Sequence, residues 1–161
     1  MIKKIGILGA GQLARMLTLA AYPLGITTLC IDPKGGTSAN QVTEVITAEY
    51  TDEAQLQNFA EQVDLITYET ENIPLQVAEF LSQHHTIFPS SKALAIAQDR
   101  LQEKTLFQKL NIPTTRFIAV DSLEDLSKGT EILGFPCILK TRCFGYVFAG
   151  KSRNQYMERR K

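Results

Sequence analysis

Apolar residues in this chain alternate between short continuous runs and stripes at helical spacing. The run Ile2–Leu8 is short, rich in β-branched residues and closed by a glycine, which predicts a strand. Beyond it the apolar positions recur at i, i+3, i+4, i+7 and i+8, namely at Leu13, Met16, Leu17, Ala20 and Ala21. This spacing predicts one apolar stripe of a helix, which Pro23 and Gly25 end.

The rest of the chain repeats this alternation. Apolar runs predict further strands at Ile26–Ile31, Val42–Ile46, Asp64–Tyr68, Thr86–Phe88, Thr115–Val120 and Pro136–Thr141. Helices are predicted over Asp52–Val63, after Asn72, over Ser91–Gln98, over Asp99–Leu110, and from a capping box at Ser122 to Gly134. Strands separated by helical segments of about ten residues imply βαβ units and a parallel sheet. The fold class is therefore α/β.

Composition narrows the function classes. The chain is 44% apolar and 21% charged, with no net charge, so it has no electrostatic footprint for nucleic acid. It has no run of about 18 uncharged apolar residues, so we expect no membrane span. Three cysteines without a Cys-x-x-Cys pair favour reduced thiols and a cytoplasmic location over disulfides or a zinc site.

A glycine-rich turn joins the first predicted strand to the first helix. Gly9–Ala14 fits the pattern G-x-G-x-x-A, and Asp32 ends the second strand, where a ribose-binding acid would stand. Glycines let the backbone approach an anion at a helix N-terminus. The motif favours an NAD- or FAD-type dinucleotide-binding module. A tight turn without a ligand, with Asp32-Pro33 as a turn former, stays open as an alternative.

Five segments together resemble one family. They are Gly9–Met16, Tyr68–Asn72, Asp99–Lys104, Phe135–Thr141 and Phe144–Tyr146. In this order and spacing they resemble the N5-carboxyaminoimidazole ribonucleotide synthases, which are ATP-grasp carboxylases of purine biosynthesis. The resemblance covers residues 1 to about 146.

The resemblance implies a domain organisation and an activity. Residues 1–90 would form a Rossmann-like pre-ATP-grasp domain with a parallel sheet that helps to bind aminoimidazole ribonucleotide rather than NAD. Residues 91–146 would begin an ATP-grasp domain. The family uses ATP, magnesium and bicarbonate to make carboxyphosphate, which delivers carbon dioxide to the exocyclic amine of the ribonucleotide.

The resemblance also implies site residues. The ATP contacts would be Arg100, Lys140 and Gly145, and the ribonucleotide contacts would be Gln12, Leu13, Glu69 and Tyr146. No catalytic residue is assigned, and the family's magnesium ligands are expected beyond the end of this chain. Fixed cations suit phosphoryl transfer because its transition state spreads charge over the phosphate oxygens.

Simpler interpretations of these residues stay open. Arg100 could be a solvated helix residue beside Glu103 and Lys104, whereas Lys140 ends a strand, where α/β proteins bind ligands. Glu69 and Glu71 would share a face in extended backbone and could orient hydroxyls or an amine. They could equally mark a solvated strand end, with Asn72 as a helix cap.

The match stops near residue 147. The family continues with Asp-Gly-Lys-Gly-Gln, whereas this chain reads Val147–Ser152 and carries five basic residues against Glu158 from Lys151 onward. We expect residues 147–161 to be a disordered basic tail. We also expect a truncated chain that keeps a folded N-terminal domain and lacks turnover. A homodimer, or a non-catalytic dimerisation module, stays open.

Overall fold

The computed structural model describes residues 2–143 and the backbone of residues 155–157. The strands are β1 Lys4–Leu8, β2 Thr27–Asp32, β3 Glu44–Thr47, β4 Leu65–Tyr68, β5 Cys137–Leu139 and β6 Gln155–Met157. The helices are α1 Gln12–Ala21, α2 Glu53–Glu61, α3 Leu75–Ser82, α4 Ser91–Gln98, α5 Arg100–Lys109 and α6 Leu123–Leu133. Short 3₁₀ turns span Tyr22–Leu24 and Ser38–Gln41.

The first four strands form a parallel sheet in the order β3-β2-β1-β4, as the alternation of strands and helices predicts. Strand β1 is central, and its last residue, Leu8, lies opposite Ile31 of β2 and Tyr68 of β4. The loops that follow these three strands therefore meet at one edge of the sheet. An isolated bridge between Ile66 and Ile87 adds a short parallel contact beside β4.

Side chains from both faces of the sheet are buried, as the continuous apolar strands predict. One face packs against α2 and α3 in a cluster that includes Leu8, Leu29, Ile31, Leu56, Phe59, Ile66, Val77 and Leu81. The opposite face forms a smaller cluster of Ile7, Ala10, Ala14, Cys30 and Ala39. This smaller cluster lies beneath α1 and brings the glycine turn onto the sheet.

Helix α1 forms where its pattern predicts, but it buries a different face. Ala14 and Thr18 are its buried residues. Thr18 Oγ1 lies 2.9 Å from Thr28 Oγ1, so a hydrogen bond joins helix and strand. Small residues on this face let the helix approach the sheet closely. The predicted apolar stripe is instead largely exposed, with Leu13 48% and Met16 56% accessible.

The chain separates into two compact units, residues 1–95 and 96–161. In the second unit Asp99 caps α5 by accepting hydrogen bonds from the N–H groups of Leu101 and Gln102. The predicted capping box at the start of α6 is confirmed, since Ser122 and Asp125 bond reciprocally. Strand β5 pairs with β6 in antiparallel register.

The second unit departs from the predicted strand at Thr115–Val120. That prediction is wrong: the segment has no regular structure, and no strand pairs with it among the described residues. The predicted disordered tail falls largely outside the described residues, although it contains β6. No helix in the described ranges is long and apolar enough to cross a bilayer.

Candidate functional site

The turn between β1 and α1 requires glycine at Gly9. Its φ of +97° lies in the left-handed region, which side chains disfavour. A Cβ at this position would also lie 2.6 Å from Cγ of Glu69. The Gly9 N–H donates to the carbonyl of Ile31 over 2.9 Å, which ties the turn to β2. The predicted tight turn is thus present, and a carboxylate side chain lies against it.

The carboxylate of Glu69 occupies the N-terminus of α1. Its Oε1 accepts from the N–H of Gly11 at 2.9 Å, and its Oε2 accepts from the N–H of Ala14 at 2.8 Å. Glu69 follows β4 directly, and its own N–H donates to the carbonyl of Leu8 at 3.1 Å. A carboxylate of the chain itself therefore occupies part of the anion site that a helix N-terminus offers, at the N–H groups of Gly11 and Ala14.

Asp32 supports the same turn from the other side. Its Oδ2 accepts from the N–H of Ala10 at 3.1 Å, and its Oδ1 accepts from the N–H of Lys34 at 2.7 Å. Both carboxylate oxygens of Asp32 thus accept hydrogen bonds from backbone N–H groups. This geometry opposes the dinucleotide alternative, because the N–H groups of Ala10 and Gly11 in the turn, and the acid expected to hold a ribose, already bond within the protein.

Gln12 and Leu13 lie at the exposed start of α1, beside Glu69. Within the described part of the chain, their N–H groups have no acceptor, since the first internal helix bond here is Arg15 N–H to the Gly11 carbonyl. Glu69 is half-buried, and each of its oxygens takes one protein donor. A carboxylate has about four acceptor positions, so this one can still accept from an amine or hydroxyl.

The prediction that Glu69 and Glu71 share one face of an extended strand is wrong. Strand β4 ends at Tyr68, and the chain bends over the next residues instead of staying extended. The alternation that would place both acids on one face is therefore lost. Asn72 is not the helix cap either, since α3 begins at Leu75 with Pro74 in the capping position.

Tyr50 and Cys30 lie under the turn, and both stay protonated at neutral pH. Burial, with smaller contributions from Asp32 and Glu69, raises the pKa of Tyr50 above its usual range. Burial, followed by Glu69 and Asp32, raises the pKa of Cys30 to about 12. The Tyr50 hydroxyl donates to the Ile31 carbonyl at 3.4 Å. No pattern in the sequence marked Tyr50, because it follows β3 outside any periodic segment.

Arg100 and Lys140 line one cavity of about 580 Å³ in the second unit. Arg100 begins α5, its N–H donates to the Arg142 carbonyl at 2.9 Å, and Lys140 follows β5. The Nε of Arg100 is buried without a hydrogen-bond partner among the described residues.

Three more basic residues line the same cavity, namely Lys104, Arg116 and Arg142. Among the described residues, no aspartate or glutamate lines it. The charged residues of its lining are therefore all basic, although Arg142 is already ion-paired with Asp121 at 2.6 Å and most of the remaining lining is apolar.

Two predicted site residues, Gly145 and Tyr146, lie outside the described residues. Within the described ranges, no three His, Cys, Asp or Glu side chains group closely enough to hold a metal ion. The residues described here therefore do not fit a magnesium site, and we assign none of them to that ion.

The amino-acid sequence of this chain matches one protein family and its curated members. The family model of the ribonucleotide synthetase preATP-grasp domain matches residues 2–98. The N5-carboxyaminoimidazole ribonucleotide synthase of Pseudomonas aeruginosa is 43% identical over 148 residues, which are 92% of this chain and 41% of that protein. The chain thus spans about two fifths of the length of the curated relatives that it matches.

Solved structures give the same result. The crystal structure of N5-carboxyaminoimidazole ribonucleotide synthetase from Thermus thermophilus matches with a TM-score of 0.80 and 45% identity, over 94% of this chain and 40% of that one. The Aspergillus clavatus enzyme in complex with ADP and 5-aminoimidazole ribonucleotide matches with a TM-score of 0.74 and 28% identity, over 87% and 38%. The chain therefore belongs to the ribonucleotide synthetase preATP-grasp family, and its resemblance to the N-terminal part of N5-carboxyaminoimidazole ribonucleotide synthases is confirmed.

Proposed function

We propose that this chain supplies the ribonucleotide-binding region and part of the ATP-binding region of an ATP-dependent carboxylase. The reaction would convert 5-aminoimidazole ribonucleotide and bicarbonate to N5-carboxyaminoimidazole ribonucleotide through carboxyphosphate. The observation that carries the proposal is the fixed carboxylate of Glu69 at the start of α1, beside the free N–H groups of Gln12 and Leu13. Acceptor and donors lie together there, at the carboxyl edge of a parallel sheet.

Glu69 would orient the ribonucleotide. Backbone N–H groups hold both its oxygens, so its side chain is positioned before any ligand arrives. Its remaining acceptor positions suit the exocyclic amine or a ribose hydroxyl. The amide of Gln12 and the N–H of Leu13 would supply donors to acceptor atoms of the ribonucleotide, beside the acceptor positions of Glu69. We extend the ribonucleotide site to Tyr146 on the resemblance alone.

Arg100 and Lys140 would bind the phosphates of ATP. Phosphoryl transfer needs fixed cations, and both residues line one cavity. The unpartnered Nε of Arg100 supports this role, because a guanidinium with a free donor can bind a phosphate oxygen. Gly145 would belong to the same site on the resemblance.

Several finer points belong to the same proposal. Bicarbonate and magnesium would be used as in the family, and the enzyme would be a cytoplasmic homodimer. Three free cysteines support the location.

We also propose a domain boundary near residue 90, with the start of an ATP-grasp domain over residues 91–146. The division of the chain into compact units at residues 95 and 96 supports a boundary in this region.

Calorimetric titration of the chain with aminoimidazole ribonucleotide, ATP and NAD tests the proposal. We expect binding of the ribonucleotide, loss of that binding in E69Q, and no effect of E79Q, which neutralises an exposed glutamate on α3. The variants R100Q and K140Q should weaken ATP binding and leave ribonucleotide binding unchanged. Binding of NAD without the ribonucleotide would favour the dinucleotide alternative.

A chimera provides a second test. Residues 2–143 replace the corresponding segment of the Pseudomonas aeruginosa synthase, and ribonucleotide-dependent phosphate release from ATP is measured. A folded chimera without turnover would contradict the proposed role. The same chimera carrying E69Q or E79Q shows whether Glu69 acts in the reaction.

A further inference from the structure

Both glycines of the β1–α1 turn make room for the side chain of Glu69. A Cβ at Gly9 would lie 2.6 Å from Cγ of Glu69, and a Cβ at Gly11 would lie 2.9 Å from its Oε1. These distances are well below the about 3.5 Å at which carbon atoms make their closest favourable contact. In a dinucleotide site the second of these glycines lets the backbone approach a pyrophosphate. Here the same space holds a carboxylate of the protein.

The turn also carries two negative charges that no basic side chain neutralises in the described part of the chain. The carboxylates of Glu69 and Asp32 both accept hydrogen bonds from backbone N–H groups of the turn. The ion pairs recorded for the described residues lie elsewhere, between residues 121 and 142. The turn therefore keeps the negative charge of both acids.

This arrangement opposes anionic ligands in two ways. A phosphate entering the turn would find several of its backbone donors already bonded to carboxylates. It would also meet like charges close by in a half-buried site, where repulsion is stronger than in bulk water. An amine or hydroxyl meets free acceptor positions of Glu69 instead. Specificity commonly depends on such a repulsive element as well as on attractive contacts.

We propose that Glu69 is a specificity-determining residue, which occupies the turn as an internal anion and thereby keeps phosphate and pyrophosphate groups out of it. Without this carboxylate, the N–H groups of residues 11–14 would all lack an acceptor among the described residues, at the positive end of the α1 dipole. Removing the side chain should therefore create an anion site that the wild-type chain does not have. This role does not require the ribonucleotide to bind.

Calorimetric titration with sodium pyrophosphate at constant ionic strength tests the proposal. The variant E69A removes the carboxylate and leaves space beside both glycines. We expect it to bind pyrophosphate at least about tenfold more tightly than the wild type, a difference of about 1.4 kcal/mol. The control E79A removes an exposed glutamate from α3 and changes the net charge equally, so it should behave as the wild type.

Thermal unfolding with added acetate gives a second readout. Acetate carries the group that E69A lacks, so it should bind the vacated space and raise the melting temperature of E69A more than that of E79A or the wild type. General effects of salt on stability act on all three proteins, and the excess in E69A measures binding at the turn. If E69A is largely unfolded, acetate or pyrophosphate should restore its circular dichroism, because an anion that binds only the folded state favours folding.

Three results would overturn the proposal. They are a folded E69A that binds pyrophosphate no more tightly than the wild type, a melting temperature of E69A that gains no more from acetate than that of E79A, and an unfolded E69A that neither anion restores. Titration of the wild-type chain with the ribonucleotide reports separately on the proposed function. A wild-type chain that does not bind the ribonucleotide, beside an E69A that binds pyrophosphate, would contradict the proposed function alone.

Discussion

Replacing Glu69 by glutamine tests whether the turn depends on a charged acceptor. The amide keeps the size of the side chain but removes its charge and offers one oxygen where the carboxylate offers two. The N–H of Gly11 or Ala14 then faces an amide NH₂ group in place of an acceptor. Hydrogen bonds to a charged group contribute about 1.5–3 kcal/mol, and an anion at a helix N-terminus adds a few tenths of a kcal/mol or more.

Because Glu69 is only half-buried, solvent screening reduces these values, and we expect E69Q to lower the free energy of unfolding by about 2 kcal/mol. For a unit of about a hundred residues this corresponds to a fall in melting temperature of about 8–16 °C. Urea and thermal unfolding followed by circular dichroism measure the change, and E79Q serves as the matched control. Equal stability of E69Q and the wild type would refute the structural role of this carboxylate.

Three further predictions concern other parts of the chain. Gly129→Ala should stabilise α6 by about 0.5–1 kcal/mol, since alanine is the better helix former and the new Cβ would come no closer than 3.7 Å to Ile118; thermal unfolding measures this. A hydrogen bond from the Lys3 N–H, then one from Lys4, lowers the pKa of Asp64. The ionised Asp64 carboxylate therefore stabilises the folded state above pH about 4, and this stability is lost as the pH falls through the lowered pKa. In Asp64→Asn, the free energy of unfolding measured with urea should therefore fall less steeply as the pH is lowered below about 4. Cys30, buried and with a pKa raised to about 12, should resist iodoacetamide until the protein unfolds, which mass spectrometry of the modified peptides detects.

Local patterns predicted most of the secondary structure. The helices capped by Asp52, Asp99 and Ser122 begin where those residues predict, because a side chain that satisfies the first backbone N–H groups acts within one turn. The strand predicted at Thr115–Val120 is absent because strand formation depends on distant residues. A strand exists only where a neighbour pairs with it, and an apolar run does not provide that neighbour.

The candidate site was only partly predictable. The glycine pattern marked the turn, and the resemblance marked Glu69, but neither showed that the two are bonded. That contact joins residues 58 positions apart and depends on the parallel register of β1 and β4. The same contact weakens the dinucleotide interpretation, which was based on the glycine pattern together with Asp32.

The sequence by itself determined the order and type of the elements, because backbone propensity, capping and apolar spacing act over a few residues. Tertiary structure decided which faces are buried and which ligands a motif can bind. Helix α1 shows the first case, since close packing of Ala14 and Thr18 leaves Leu13 and Met16 exposed. The glycine turn shows the second, because the donors of a helix N-terminus are available to a ligand only where no side chain of the protein already occupies them.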